Sequence, residues 1–94
     1  MQPVRKAGSG MDRRKEPRWP APDPVELSVA DPLPRKVLGR LLDISRSGFC
    51  AAHGDVALHS GMDVHFRHAH GEGRARVVWV RIQGGNVESG FLVQ

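Results

Sequence analysis

Lys36-Val37-Leu38-Gly39-Arg40-Leu41-Leu42-Asp43-Ile44-Ser45-Arg46-Ser47-Gly48-Phe49-Cys50-Ala51-Ala52 holds two apolar runs parted by four residues of turn chemistry. Ser and Gly at the break favour a tight reversal, so the stretch predicts two consecutive strands. The first, Lys36–Ile44, is long, and Gly39 inside it predicts a bend or bulge of the kind that curves a sheet. On the N-terminal side, Val25-Glu26-Leu27-Ser28-Val29 alternates cleanly until Asp31-Pro32-Leu33-Pro34 breaks it. On the C-terminal side, Met62, Val64 and Phe66 alternate with Asp63, His65 and Arg67. The Ala69–Gly73 loop, an Arg74–Ile82 strand, the Gln83-Gly84-Gly85-Asn86 turn and a closing Ser89–Val93 strand follow. Short strands parted by glycine-rich turns predict an all-β domain. Trp79 is in register with Ala75 and Val77 and is expected in the core. Trp19 is expected to cover a barrel end.

Ninety-four residues with 39% apolar content make one small domain, for which closing the sheet into a barrel removes exposed edges. Residues 1–12 are polar, contain Gly8-Ser9-Gly10 and predict a flexible lead. A basic stretch follows at 13–18, and Pro17, Pro20, Pro22 and Pro24 then rule out a helix. The arginines are therefore expected on a loop laid over a domain spanning 13–94, with the barrel from about residue 24. The formal charge is +4 and the isoelectric point about 10.2, which favours an anionic partner. A single cysteine, Cys50, excludes an intrachain disulfide and fits a reducing, cytoplasmic setting. No apolar run approaches the roughly 20 residues that span a bilayer.

Two short motifs carry chemistry. Arg14-Lys15-Glu16-Pro17-Arg18, preceded by Arg13, is an RxxxR pattern whose planar guanidinium groups suit phosphate oxygens. Asp43-Ile44-Ser45-Arg46-Ser47-Gly48 is a DxSxxG pattern offering a carboxylate, a hydroxyl and a glycine. Taken locally, the first is a solvated basic tail and the second an Asx or Ser turn. No nucleophile with an oriented base and no paired carboxylates are visible, so no enzyme is expected. His65, His68 and His70 lack completing ligands, so a solvated surface is expected there rather than a metal site.

In this order, ahead of a β-rich run, the two motifs resemble the PilZ domain, a bacterial receptor module for cyclic di-GMP. Gly73-Arg74-Ala75-Arg76-Val77-Val78-Trp79 and Glu88-Ser89-Gly90-Phe91 also look like that family's last two strands. The resemblance implies a six-stranded antiparallel β-barrel. In the family a helix often follows; this chain ends at Gln94, and the helix is expected to be missing. By the same resemblance Arg14 and Arg18 clamp the ligand phosphates and lean on a guanine. Asp43 accepts from the guanine donor edge, Ser45 supports the ligand, and Gly48 permits the turn. The residue before RxxxR lies near the ligand, so a long cation at Arg13 is compatible with an intercalated pair of cyclic di-GMP molecules. The implied function is a receptor or adaptor that signals to an effector protein, with no cofactor beyond the nucleotide. The rivals are a basic barrel binding single-stranded nucleic acid and an adaptor that binds no ligand. Inward positions expected for Phe49, Phe66, Trp79 and Phe91 leave no stacking platform for the former.

Overall fold

The computed structural model of the chain describes residues 17–30 and 33–94. Among the described residues seven strands form: β1 (Arg18–Pro20), β2 (Pro24–Val29), β3 (Arg35–Ser45), β4 (Gly48–His53), β5 (Asp63–His68), β6 (Gly71–Gln83) and β7 (Asn86–Val93). Their order is β1-β3-β2-β5-β6-β7-β4, and pairing between β3 and β4 closes a six-stranded antiparallel barrel. No helix occurs among the described residues, and so none long and apolar enough to cross a membrane.

The shared wall is β3. Its first half pairs with β2 from Arg35↔Val29 to Arg40↔Pro24. Its second half pairs with β4, from Arg40↔Ala52 to Ile44↔Phe49. The expected irregularity falls between Leu41 and Asp43 rather than at Gly39. Gly39 instead sits where the Ala52 carbonyl passes too close for any side chain.

The predicted arginine loop is corrected at its described end. Arg18-Trp19-Pro20 is a strand, β1, lying along Ser45-Ile44-Asp43 of β3. Arg13 and Arg14 lie outside the described residues, as does the 1–12 lead. The prolines do enforce an extended path, but extended chain beside a strand end with spare backbone groups adds to the sheet.

Inward residues of all six barrel strands meet in one core containing Leu27, Leu41, Phe49, Phe66, Val77 and Phe91. Each such side chain contributes about 1.5–3 kcal/mol by leaving water. Phe49 stacks on Phe91 at 4.6 Å and packs tilted against Phe66 at 4.9 Å. Trp79 is a correction. One extra residue, Val78, bulges between Val77 and Trp79 and resets the alternation, so Trp79 faces outward and is 37% exposed.

Two histidines are built into the barrel. His53 is buried on β4, with Nε2 2.8 Å from the Ser89 hydroxyl. Its Nδ1 accepts from the Asp55 N–H, so the neutral ring carries its proton on Nε2 and donates it to Ser89. That tautomer cannot take a proton from Ser89. The pair is a satisfied polar contact, not a nucleophile and its base. His68 was expected at the solvated surface; instead it is half-buried and stacks on Phe66 at 5.1 Å. Burial pushes both imidazoles below the ordinary value of 6.5; the Asp55 charge opposes this at His53, while His70 adds to it at His68. A base with a depressed folded pKa binds fewer protons folded than unfolded. Stability is therefore full above about pH 6.5 and falls as pH drops below it. The carboxylates held low by partners, Glu26 and Asp55, lose their contributions only further down. Melts taken at steps from pH 7.5 to 5 should move down, by on the order of 5 °C per kcal/mol for a domain this size. A flat profile across that interval contradicts the buried neutral histidines.

Candidate functional site

The second motif sits where β3 turns into β4. Ser45 ends β3, Arg46 and Ser47 turn, and Gly48 opens β4. The Ser45 hydroxyl donates to the Gly48 carbonyl at 3.3 Å, so it holds the turn. Gly48 is required by its neighbour more than by its own φ. A Cβ there would collide with the Phe91 carbonyl oxygen on β7.

β1 brings Arg18 to this turn. Its guanidinium Nη1 donates to the Asp43 carboxylate at 2.5 Å, and the same nitrogen lies 3.5 Å from the Cys50 sulfur. Sequence alone separates Arg18 from Asp43 by 25 positions; β1–β3 pairing closes the gap. Both side chains keep about a third of their surface in water, 39% and 31%. Burial pushes the Cys50 thiol up, the Asp43 charge adds to this, and Arg18 offsets only part. Cys50 is thus an inert wall residue, as expected.

Register extends this cluster across the barrel's outer face. Asp43 lies opposite Cys50, Cys50 opposite Gly90, and Gly90 opposite Trp79. A Cβ on Gly90 would occupy the Trp79 indole, so glycine is what lets the ring lie flat on the sheet. The Arg81 guanidinium sits 5.8 Å from the Trp79 ring centre and is held by Glu88 at 2.7 Å. The wall therefore runs from a cation–carboxylate pair, across small residues, to an exposed aromatic plane. Such a surface can contact an anion at one end and stack a planar heterocycle at the other.

Arg18, Asp43, Ser45 and Gly48 are brought together; Arg13 and Arg14 fall outside the described residues. Sequence reasoning missed Trp79 and Arg81 as members of this face. The signal was Gly90, a glycine inside an otherwise regular strand, which marks a close approach. Trp19 shares the face of its partner Ile44 and is 53% exposed, so it covers the barrel end only in part. Arg46 lines a cavity of about 250 Å³ at that end with Phe49, Phe66, His68 and Glu72. Among the described residues no group of three His, Cys, Asp or Glu could hold a metal ion.

The family model of the PilZ domain matches residues 12–93. Among solved structures, the fold is similar to the PilZ domain of YcgR from Escherichia coli, a structure with c-di-GMP. The TM-score is 0.69 and the identity 19%, over 86% of this chain and 77% of that one. A comparison with curated protein sequences finds no match.

Proposed function

The chain belongs to the PilZ domain family, and from that premise we propose that it is a receptor for cyclic di-GMP that binds the dinucleotide on the outer wall between Arg18 and Trp79. What carries the reading is the Arg18–Asp43 pair at 2.5 Å beside the Ser45–Gly48 turn, in register with an exposed tryptophan. The similar YcgR domain, whose structure holds c-di-GMP, supports it. In the proposed complex Arg14 and Arg18 hold phosphate oxygens and Asp43 accepts from a guanine edge. Ser45 and Gly48 keep the turn in place, and Trp79 stacks on a base. The phosphates offset the mutual repulsion of Arg13, Arg14 and Arg18, and hold that segment against the Asp43–Gly48 turn. The altered surface then meets an effector protein. The role is recognition rather than catalysis, in the reducing, cytoplasmic setting that a single cysteine fits.

Calorimetric titration with cyclic di-GMP tests the proposal, run beside cyclic di-AMP. Saturable binding of the guanine ligand alone is expected. At a free concentration about 100 times Kd, the melt should gain about 2.7 kcal/mol of stability. No heat and no shift in the melt would reject it. Trp79→Ala should weaken binding about 5- to 150-fold, the loss of one stacked base at roughly 1–3 kcal/mol. The wild-type indole fluorescence should change on titration. Unchanged affinity and fluorescence would remove Trp79 from the site.

Stoichiometry is a separate prediction. Two intercalated ligands bring four phosphate charges, more than Arg14 and Arg18 balance, and Arg13 supplies a further cation. The expected ratio is two ligands per chain, falling to one in Arg13→Leu. A ratio of one in both refutes the paired ligand.

One observation favours a rival. With Trp79 outward, a basic barrel has one stacking platform that sequence reasoning denied it. Band shifts with labelled single strands decide. Retardation at affinities above those for cyclic di-GMP would favour nucleic acid.

A further inference from the structure

The β6–β7 hairpin runs beyond its neighbour. β5 accompanies β6 only from Gly71 to Arg76, and Gly61 and Met62 extend that contact by bonding Val77. From there to Gln83, β6 has β7 on one side and no strand on the other among the described residues. Among the described residues only the Ser60 hydroxyl reaches this edge, donating to the Val78 carbonyl at 3.3 Å. Val77 and the Val78 carbonyl both face the open side; alternation after the bulge then turns the N–H and C=O of Val80 and Ile82 the same way. The bulge at Val78 and the charge of Arg81 are the guards this edge carries. No proline and no lysine stand between Val78 and Gln83, and Ile82 is 60% exposed.

We propose that this edge takes the same edge of a second copy of the chain, the two β6 strands running antiparallel about a two-fold axis at Val80. Charge selects the occupant and the register. With Val80 opposite Val80 of the second copy, the two residues exchange both backbone hydrogen bonds. Ile82 then faces Val78, and Arg81 faces Trp79 of the other copy. Arg81 already lies over its own Trp79 ring at 5.8 Å, so the same cation–aromatic contact is offered across the axis, twice. A two-residue shift one way sets Arg81 against Arg81, which is repulsive. The opposite shift sets Trp79 against Trp79 and gives neither Arg81 an aromatic ring across the axis, only its own Glu88. A one-residue slip puts Val80 and Ile82 on the face of Trp79 and Arg81, against the side-chain alternation. The surface is thus complementary to itself in one register.

So short an edge buries less than about 1,000 Å², which makes a transient dimer. Sedimentation of the full chain without nucleotide, up to roughly 1 mM, tests it. The weight-average mass should climb from 10.3 kDa towards twice that value. Ile82→Lys should hold the mass at the monomer value with the melt unchanged, because the position is exposed. Val80→Cys should cross-link under mild oxidation far faster than Arg76→Cys. Hydrogen-bonded antiparallel pairs place Cα atoms about 5.5 Å apart, within disulfide reach, and Cys50 is buried. A chain that stays monomeric throughout, a dimer indifferent to Ile82→Lys, or equal cross-linking of the two cysteine variants would each overturn the proposal.

Discussion

Arg18→Ala is expected to lower cyclic di-GMP affinity about 100-fold or more while leaving the barrel folded. Its ion pair with Asp43 is partly exposed, at 39% and 31%, and pairs so placed contribute at most about 1 kcal/mol to stability. β1 is three residues at the edge of a barrel that closes without it. The ligand is affected far more. A charge-assisted hydrogen bond contributes about 1.5–3 kcal/mol, and each 1.4 kcal/mol is tenfold in affinity. Two lost bonds exceed 100-fold. Calorimetry measures the loss, and a melt without ligand checks the fold. Unchanged affinity would take the guanidinium out of the site, and a collapsed melt would make Arg18 structural. Arg14→Ala is expected to act on affinity in the same way.

Gly48→Ala should be the most damaging small substitution for the fold. The methyl has nowhere to go, because its neighbour is the backbone carbonyl of Phe91, and β7 cannot yield without breaking its ladder to β4. Overpacking against fixed atoms costs about 1–3 kcal/mol, sometimes more. At roughly 4–8 °C per kcal/mol for a domain of this size, the melt should fall by about 15 °C. Gly54→Ala, where a Cβ meets nothing within 4 Å, is the control. Similar melts for the two variants would show that the Gly48 position can relax.

Most of the barrel was legible because alternation is a local property. Val25–Val29, the break at Ser45–Gly48 and the inward Phe49, Phe66 and Phe91 all follow from period-two patterning and turn residues. What failed was non-local. Trp79 follows the Ala75–Val77 alternation on paper, and only pairing with β7 reveals the extra residue that turns it outward. His53 reads as part of a loop until Ser89, 36 positions away, arrives as its partner. Arg18 reads as loop because its prolines exclude helix, yet extended chain beside β3 is strand. The candidate site was half legible. Motif residues were visible, whereas the aromatic end of the wall depended on cross-strand register.

The closed ring has two kinds of joint. Hairpins join β2 to β3, β3 to β4, β5 to β6 and β6 to β7, each between neighbours in the chain. Two seams do not: Val25 meets His68, 43 positions on, and Phe49 meets Phe91, 42 positions on. The molecule is therefore two three-stranded meanders zipped together twice. Local hairpins form early at little entropic cost, whereas each seam must first close a long loop. The kinetics of folding should accordingly be governed by zipping rather than by hairpin formation, with one seam closing the circle that the other makes possible. The segment between His53 and Asp63 joins the meanders and is anchored by Leu58 and Met62 in the core, so a cut at its exposed Gly54 end would leave each half a whole meander to recombine through the two seams.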